Sequence, residues 1–232
     1  MLTVKLKTNN PKILCVTPLK NGDTVSKQTK VTIKRNKIPF NWITFEGPHN
    51  PAKNMELGLQ KYKETYDSIP PYIIKIDNDI TMSRGMLDKM YNTIENCKSK
   101  FVAYCYCGFE FTGALTNKFP VANFDARRLL QGNYISFMSL INSNILEKIG
   151  GLETDDSMFR LLDWALWLKF LYYGHIGIPC INAGFTAYAS PDSVSARGQE
   201  DYTEKHVVVK TKWIDPIIEK YSKKEPTNKK TP

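Results

Sequence analysis

Short apolar runs alternate with polar or amphipathic stretches along the first half of the chain. Residues 12–18, 41–45, 72–76 and 101–107 are rich in β-branched, aromatic and other apolar side chains, which predicts buried strands. Between the second and third runs, residues 53–66 carry an apolar stripe at helical spacing, which predicts an amphipathic helix. The alternation predicts an α/β fold with a mostly parallel central sheet flanked by helices.

The second half of the chain is patterned less regularly. Residues 112–133 contain scattered glycine, proline and asparagine and predict an elaborated loop region. Residues 159–173 are apolar on nearly every side, which predicts a helix buried in the core. The other predicted elements are helices at 24–36, 83–96, 143–149 and 201–221 and strands at 134–141, 176–180 and 185–189.

Composition and charge narrow the function only slightly. Hydrophobic residues make up 42% of the chain and charged residues 24%, an ordinary balance for a globular protein. The net charge is +9, and residues 222–232 contribute four lysines against one glutamate, which predicts a basic flexible tail. A basic surface suits a diphosphate ligand or an anionic membrane as well as nucleic acid. Because no stripe of arginine and aromatic residues stands out, we expect no nucleic-acid partner.

The chain carries no sequence signal for export or membrane insertion. The N-terminal residues lack a charged region followed by an apolar one, and no window approaches the roughly 18 apolar residues that span a bilayer. The five cysteines form no C-x-x-C pair, so we expect reduced thiols, mostly in the core. The pattern predicts a soluble cytoplasmic protein, and it leaves peripheral membrane association open.

Acidic residues follow the third predicted strand directly. Ligands of parallel α/β sheets bind beyond the carboxyl ends of the strands, which here are Thr17, Glu46 and Asp77 to Asp79. On an extended segment, the carboxylates of Asp77 and Asp79 point the same way, about 6–7 Å apart. Such hard oxygen ligands suit Mg²⁺ or Mn²⁺, which also bind diphosphate oxygens. The alternative is an Asp-rich turn that caps the strand and the next helix.

Asp163 lies inside the apolar stretch predicted to form a buried helix. An ionised carboxylate is costly to bury, and burial would raise its pKa into the range that suits a general base. The alternatives are an ion pair with Arg160 or Lys169, or a place at the N-terminus of the helix. Asp163 is therefore a candidate catalytic residue.

Five motifs, in order along the chain, resemble the family 2 glycosyltransferases with the GT-A fold. Residues 16–21 (Val-Thr-Pro-Leu-Lys-Asn) are similar to the opening strand of that family, and residues 50–54 (Asn-Pro-Ala-Lys-Asn) to its Asn-x-x-Ala-Arg-Asn segment. Residues 76–79 (Ile-Asp-Asn-Asp) match its Leu-Asp-x-Asp, or DxD, site. Residues 149–153 and 162–168 resemble Gly-Gly-Phe-Asp followed by Glu-Asp-Trp-Asp-Leu-Trp-Leu.

The resemblance covers about residues 12–200 and implies a metal-dependent inverting glycosyltransferase. It implies one GT-A domain over residues 1–221, with a nucleotide-sugar-binding half (about 1–108) and an acceptor half (109–221). The implied donor is a nucleoside-diphosphate sugar, with UDP favoured and GDP or TDP left open. The implied acceptor of the single sugar is a hydroxyl of a glycan, a lipid-linked molecule or a protein.

The same resemblance implies roles for individual residues. Asp79 would bind Mn²⁺ or Mg²⁺, Asp77 would contact the metal or the ribose, and Asp163 would deprotonate the acceptor hydroxyl. The implied nucleotide site consists of Thr17, Pro18, Glu46, Lys53, Asp77 and Asn78.

The sequence also departs from the family pattern. Leu162 replaces the first acid of the Glu-Asp pair, and Glu46 is the one acid kept from an Asp-Asp-Gly-Ser segment. Ser190 stands where the family has a metal-binding histidine, so that Ser190, Asp192 or His206 is the candidate third ligand. A rival acidic pair for acceptor binding, or simply a solvated start of a helix, is formed by Asp155 and Asp156.

Two other classes of function stay open at this stage. A sugar nucleotidyltransferase would carry a Gly-rich loop with lysine or arginine directly after the first strand, where this chain has Asn21-Gly22. A catalytically degenerate or nucleic-acid-binding module would explain the incomplete acidic pair and the missing histidine. Metal-dependent nucleotide binding separates the transferase from the binding module.

Overall fold

The computed structural model describes residues 1–191 and 202–223, which fold around a mixed β-sheet. The strand order along the sheet is β1-β3-β2-β4-β8-β6-β9-β5, and β7 pairs with β6 outside this path. The strands are β1 (Leu2–Leu6), β2 (Ile13–Leu19), β3 (Phe40–Glu46), β4 (Tyr72–Lys75), β5 (Ile80–Met82), β6 (Val102–Gly113), β7 (Asn117–Phe119), β8 (Leu140–Asn142) and β9 (Ile176–Ala189).

Helices flank the sheet, and local capping explains where several of them begin. Asn50 accepts a hydrogen bond from Lys53 N at 2.8 Å and is followed by proline, a standard start for the long helix α2. A 3₁₀ turn (Asp156–Met158) precedes α6, and a π-helical turn (Lys210–Ile214) joins the last two helices. The helices are α1 (Lys27–Ile33), α2 (Pro51–Tyr66), α3 (Met86–Glu95), α4 (Ala126–Gln131), α5 (Ser143–Lys148), α6 (Leu162–Tyr172), α7 (Tyr202–Val209) and α8 (Asp215–Ser222).

The sheet is less parallel than the sequence predicts. Among the described residues, β2 pairs in parallel with β3 and β4, and β6 with β9. The other five pairings are antiparallel, because β8 inserts between β4 and β6 and because β1, β5 and β7 join at the margins. The prediction of a mostly parallel sheet is corrected to a mixed one.

Several predicted elements have different bounds in the structure. The two strands predicted at 176–180 and 185–189 are one strand, β9, with a register shift against β6 near Gly108. Only the end of the strand predicted at 134–141 pairs, as β8, and the predicted loop at 112–133 contains β7 and α4. The short strands β1 and β5 were not predicted.

The buried helix predicted from residues 159–173 is confirmed as α6. Trp164 and Trp167 are fully buried, and their indole N–H groups donate to the carbonyls of Leu129 (2.7 Å) and Ile135 (2.9 Å). Trp167 also stacks on Tyr104 of β6, with ring centroids 4.5 Å apart. These contacts fix the N-terminal turn of α6, which carries Asp163, against the sheet.

A buried ion-pair network joins the C-terminal helices to this core. The Glu153 side chain is 5% exposed, and its two oxygens lie 3.1 Å from Lys169 Nζ on α6 and 2.9 Å from Lys212 Nζ in the π-helical turn. Lys169 also donates to the carbonyls of Gly150 and Gly151. Lys169 is therefore paired with Glu153 and not with Asp163.

Removing the charge of Glu153 is expected to destabilise the fold. The variant Glu153→Gln leaves the Lys169 ammonium buried without its counter-ion, which should lower the free energy of unfolding by about 3 kcal/mol. Urea denaturation monitored by circular dichroism measures this change. The control is Glu147→Gln, which breaks the exposed pair with Lys63 and should leave the unfolding midpoint nearly unchanged. Equal effects of the two substitutions would contradict the assignment.

Other features bear on the sequence predictions. All five cysteines are free thiols, and four of them are buried. Among the described residues, no helix combines the length and apolar character needed to cross a bilayer. Residues 224–232, most of the predicted basic tail, lie outside the described residues.

Candidate active site

A cleft of about 350 Å³ opens where β4, β6 and β9 end and where α2 and α6 begin. A volume of this size fits one small-molecule ligand. The cleft brings together Asp77, Asp79 and Asp163. Asp163 lies 84 residues after Asp79 in the chain. Large apolar and aromatic side chains form much of its remaining wall: Phe109, Phe111, Phe137, Phe159, Leu162, Phe185 and Tyr188.

The segment after β4 is anchored by its middle residue. The carbonyl of Asn78 accepts from Ser26 N (2.8 Å) and Thr29 Oγ1 (3.1 Å), and its side-chain amide donates to Thr24 O (3.3 Å). The next residues pair as β5 with β9. The backbone of residues 77–79 is thereby held between α1 and the end of the sheet, so that two carboxylates are presented at the cleft.

Asp77 and Asp79 have different electrostatic environments. The Asp77 carboxylate binds the ammonium of Lys75, whose side chain is buried. Asp79 keeps an exposed edge, but the walls of the cleft displace much of the surrounding water, and this burial raises its pKa above the ordinary value. The charge of Asp77 raises the pKa of Asp79 further. A cation between the two carboxylates would relieve this cost.

The residues present fit a divalent cation of the Mg²⁺ type. Such an ion takes one or two carboxylates and fills its remaining positions with water and phosphate oxygens. Within residues 1–191 and 202–223, no group of three or more His, Cys, Asp or Glu side chains is placed to hold a metal ion. Asp77 and Asp79 would therefore hold the cation together with oxygens from water and ligand.

The candidate third ligands are placed differently. Ser190 directly follows β9 and is partly buried. His206 on α7 packs its ring on Trp164 and Tyr202, with centroids 5.2 and 6.1 Å apart, and does not line the cleft. Asp192 lies outside the described residues.

Asp163 occupies the first turn of α6 and faces the same cleft. One of its oxygens accepts from Trp164 N and the other from Asn133 Nδ2, both at 2.8 Å. Burial raises the pKa of Asp163 to about 6, against the opposing effects of these hydrogen bonds and of the Lys75 charge. A carboxylate with this pKa is ionised at neutral pH and still accepts a proton readily, as a general base requires.

Lys75 is a cleft residue that the sequence analysis did not single out. It is the last residue of β4, its side chain is 9% exposed, and its ammonium lies 5.3 Å from the centre of the Phe137 ring. It binds Asp77 and lowers the pKa of Asp163 through its charge. A lysine in an otherwise apolar strand, two residues before an acidic motif, was the signal that could have identified it.

The other predicted nucleotide-site residues do not line this cleft. Thr17 is fully buried, and its hydroxyl accepts from Trp42 Nε1 at 3.0 Å. Glu46 accepts from Gly22 N at 3.0 Å, and Lys53 pairs with Glu56 at 2.8 Å. Pro18 is partly buried in β2, beside Phe45 of β3. The structure thus brings Asp77, Asn78, Asp79 and Asp163 together in the cleft. The side chains of Thr17, Pro18, Glu46 and Lys53 lie outside it.

The rival acidic pair is used for local structure. Asp155 caps the 3₁₀ turn and accepts from Ser157 N and Oγ, which lowers the pKa of Asp155. Asp156 accepts from Asn50 Nδ2 at 2.7 Å. Neither residue lines the cleft, and both are exposed.

The fold is shared with solved structures of S. aureus TarS. A structure of TarS residues 1–349 in complex with UDP-GlcNAc matches with a TM-score of 0.63 at 11% identity, over 86% of this chain and 66% of that one. The complex with UDP matches with a TM-score of 0.59 at 13% identity, over 86% and 64%. A longer TarS structure matches with a TM-score of 0.57 at 11% identity, over 87% and 39%.

These matches confirm the predicted α/β GT-A fold, with a mixed sheet. The chain spans about two thirds or less of the length of the TarS chains that it matches. No protein-family model and no curated protein sequence matches the chain.

Proposed function

We propose that this chain is a glycosyltransferase that uses a nucleoside-diphosphate sugar. The observation that carries the proposal is the meeting of Asp77, Asp79 and Asp163 in one cleft of about 350 Å³, where the pKa of Asp163 is raised to about 6. The shared fold supports it, because two of the matching TarS structures are complexes, one with UDP and one with UDP-GlcNAc. UDP is therefore the first nucleotide to test, and UDP-GlcNAc the first donor.

The proposed reaction is a single displacement that inverts the anomeric carbon. Asp163 removes the proton of an acceptor hydroxyl, whose oxygen bonds to the anomeric carbon as the bond to the donor diphosphate breaks. Asn133 and Trp164 N hold the Asp163 carboxylate in place for this proton transfer. A divalent cation at Asp77 and Asp79 would neutralise the charge that develops on the departing diphosphate.

The remaining assignments belong to the same proposal. The chain would be a family 2 enzyme whose DxD motif is residues 77–79, with its nucleotide half at about 1–108 and its acceptor half at 109–221. Asn78 lines the cleft. Thr17 and Pro18 lie near the end of β2, Glu46 is the last residue of β3, and Lys53 lies in the first turn of α2. These four residues would border the nucleotide once it is bound. The acceptor would be a hydroxyl of a glycan, a lipid-linked molecule or a protein.

Calorimetric titration of the wild-type protein tests the proposal. UDP, GDP and TDP are each titrated with Mn²⁺ and with EDTA. We expect one nucleotide, UDP, to bind with Mn²⁺ and at least about tenfold more weakly with EDTA, because the cation bridges the protein carboxylates and the phosphate oxygens. If none of the three nucleotides binds, the donor-site assignment is wrong and the alternative of a non-catalytic binding module is favoured.

A further inference from the structure

One backbone conformation at the cleft is costly. Residues 158–161 form a type II β-turn, in which Phe159 has φ −49° and ψ 137°, Arg160 has φ 82°, and Leu161 N donates to Met158 O at 2.8 Å. The third position of this turn requires positive φ and is the usual place of glycine or asparagine. An arginine at this position is strained, because its Cβ crowds the backbone.

Arg160 differs from the other non-glycine residues that have a positive φ. Among the described residues, the other non-glycine residues with positive φ are Asn10 (47°) and Asp67 (62°). Asn and Asp tolerate this region because their short polar side chains bond locally. Neither of them lines the cleft, whereas Arg160 does. Strain that is kept at a functional site motivates a hypothesis of function for the residue that carries it.

The charges of the cleft indicate what Arg160 would bind. The cleft is lined by three carboxylates and by two cationic side chains, Lys75 and Arg160. A nucleoside-diphosphate sugar brings a doubly charged diphosphate into this acidic cleft. A guanidinium suits phosphate oxygens because its planar fork donates two parallel hydrogen bonds.

We propose that Arg160 binds the diphosphate of the donor, and that the strained turn serves to present its guanidinium to the cleft. This inference rests on the proposed function and adds a residue to it. The turn places Arg160 three residues before Asp163, at the beginning of α6. The group that would bind the leaving diphosphate and the group that would take the acceptor proton are thus carried by one short segment.

The substitution Arg160→Gly separates binding from folding. Glycine adopts positive φ without strain, so the variant should melt at the same temperature as the wild type or higher. It should bind UDP in the presence of Mn²⁺ about 10- to 100-fold more weakly, since a charge-assisted pair is lost. The affinity of Arg160→Gly for UMP should change much less. Arg160→Lys keeps the charge but not the planar fork, so its affinity for UDP should lie between those of the wild type and Arg160→Gly.

Two matched variants control for strain relief and for net charge. Asp67→Gly relieves positive φ at the end of α2, outside the cleft, and Arg35→Ala removes an exposed positive charge after α1. Both should bind UDP as the wild type does. Wild-type affinity of Arg160→Gly for UDP, or a clear loss of its thermal stability, would overturn the inference. If the wild type itself binds no UDP, the proposed function fails first.

Discussion

Asparagine in place of Asp163 is expected to lower kcat at least about 100-fold while leaving the affinity for UDP unchanged. The carboxylate would act on the acceptor and not on the nucleotide, and loss of a general base typically costs a factor of 10² to 10⁴. Release of UDP from UDP-GlcNAc measures the rate, with water as the acceptor until a better one is found. Titration of UDP with Mn²⁺ measures the affinity in parallel.

The pH dependence of the wild type follows from the same residue. Only the ionised carboxylate accepts a proton, and the pKa of Asp163 is about 6. The value of kcat/KM should therefore rise about tenfold per pH unit up to about pH 6 and level off above it. For Asp163→Asn, kcat/KM should not show this rise with pH. A wild-type profile that is flat between pH 5 and 7 would exclude Asp163 as the base.

The rival acidic pair supplies the control for this prediction. Asp156→Asn removes a carboxylate from the segment that precedes α6 without changing the cleft. We expect nearly full activity, together with a modest loss of stability from the weaker contact with Asn50. The opposite result, with Asp156 essential and Asp163 dispensable, would move the base to the acidic pair.

Protein stability offers a readout of Asp163 that is independent of activity. The folded-state pKa of about 6 lies above the ordinary value of 3.8, so that the folded protein holds the proton more tightly than the unfolded chain does. The stabilising contribution of the protonated group is therefore complete below pH 3.8 and is lost as the pH rises through 6. Two pKa units correspond to about 3 kcal/mol. Asp163→Asn should lose correspondingly less unfolding free energy between pH 4 and 6.5.

The amino-acid pattern predicted the buried elements better than it predicted their directions. The all-apolar stretch around Trp164 and Trp167 can be satisfied only inside a core, and α6 is buried as expected. The direction of a strand leaves no comparable local mark. Nothing in residues 140–142 indicates that β8 runs antiparallel between β4 and β6. The alternation of strands and helices therefore predicted a mostly parallel sheet, although the sheet is mixed.

Tertiary contacts explain why the strand predicted at 134–141 is mostly absent. Ile135 N and Met138 N bond to the side chains of Asn133 and Ser136, and the carbonyl of Ile135 accepts from Trp167. These bonds replace the ladder that the apolar pattern predicts. They also place Asn133 against Asp163, so that the irregular backbone contributes directly to the candidate site.

The acidic residues of the candidate site were easier to predict than its cations. Asp77 and Asp79 were identified by their place directly after an apolar strand, and Asp163 by the cost of burying a carboxylate inside an apolar stretch. Lys75 was hidden because a single lysine at a strand end is common on protein surfaces. Arg160 was considered only as an ion-pair partner of Asp163, because its unusual feature is a φ of 82°, which arises from the turn and not from its residue type.

Replacing Asp79 by asparagine is expected to abolish manganese-dependent binding of UDP, with a loss of affinity of at least about 100-fold. Changes to residues that merely support metal ligands cost 10- to 100-fold in metal affinity, so that loss of a ligand should cost at least as much. Asp79 should matter more than Asp77, because the charge of Asp77 is already balanced by Lys75. Calorimetric titration of UDP, with Mn²⁺ or with EDTA, measures the effect.

The control for Asp79 is Asp23, a carboxylate outside the cleft whose charge adds to the negative electrostatic potential at Asp79. The charge of Asp23 raises the pKa of Asp79, but Asp23 does not line the cleft. If the cation is held by direct ligation, Asp23→Asn should keep nearly full affinity for UDP in the presence of Mn²⁺. Any binding of UDP that remains in EDTA should be equal for Asp23→Asn and Asp79→Asn. If general negative potential attracts the cation, the two variants should weaken binding to similar extents. Retention of manganese-dependent binding by Asp79→Asn would place the cation elsewhere and remove the main support for the donor site.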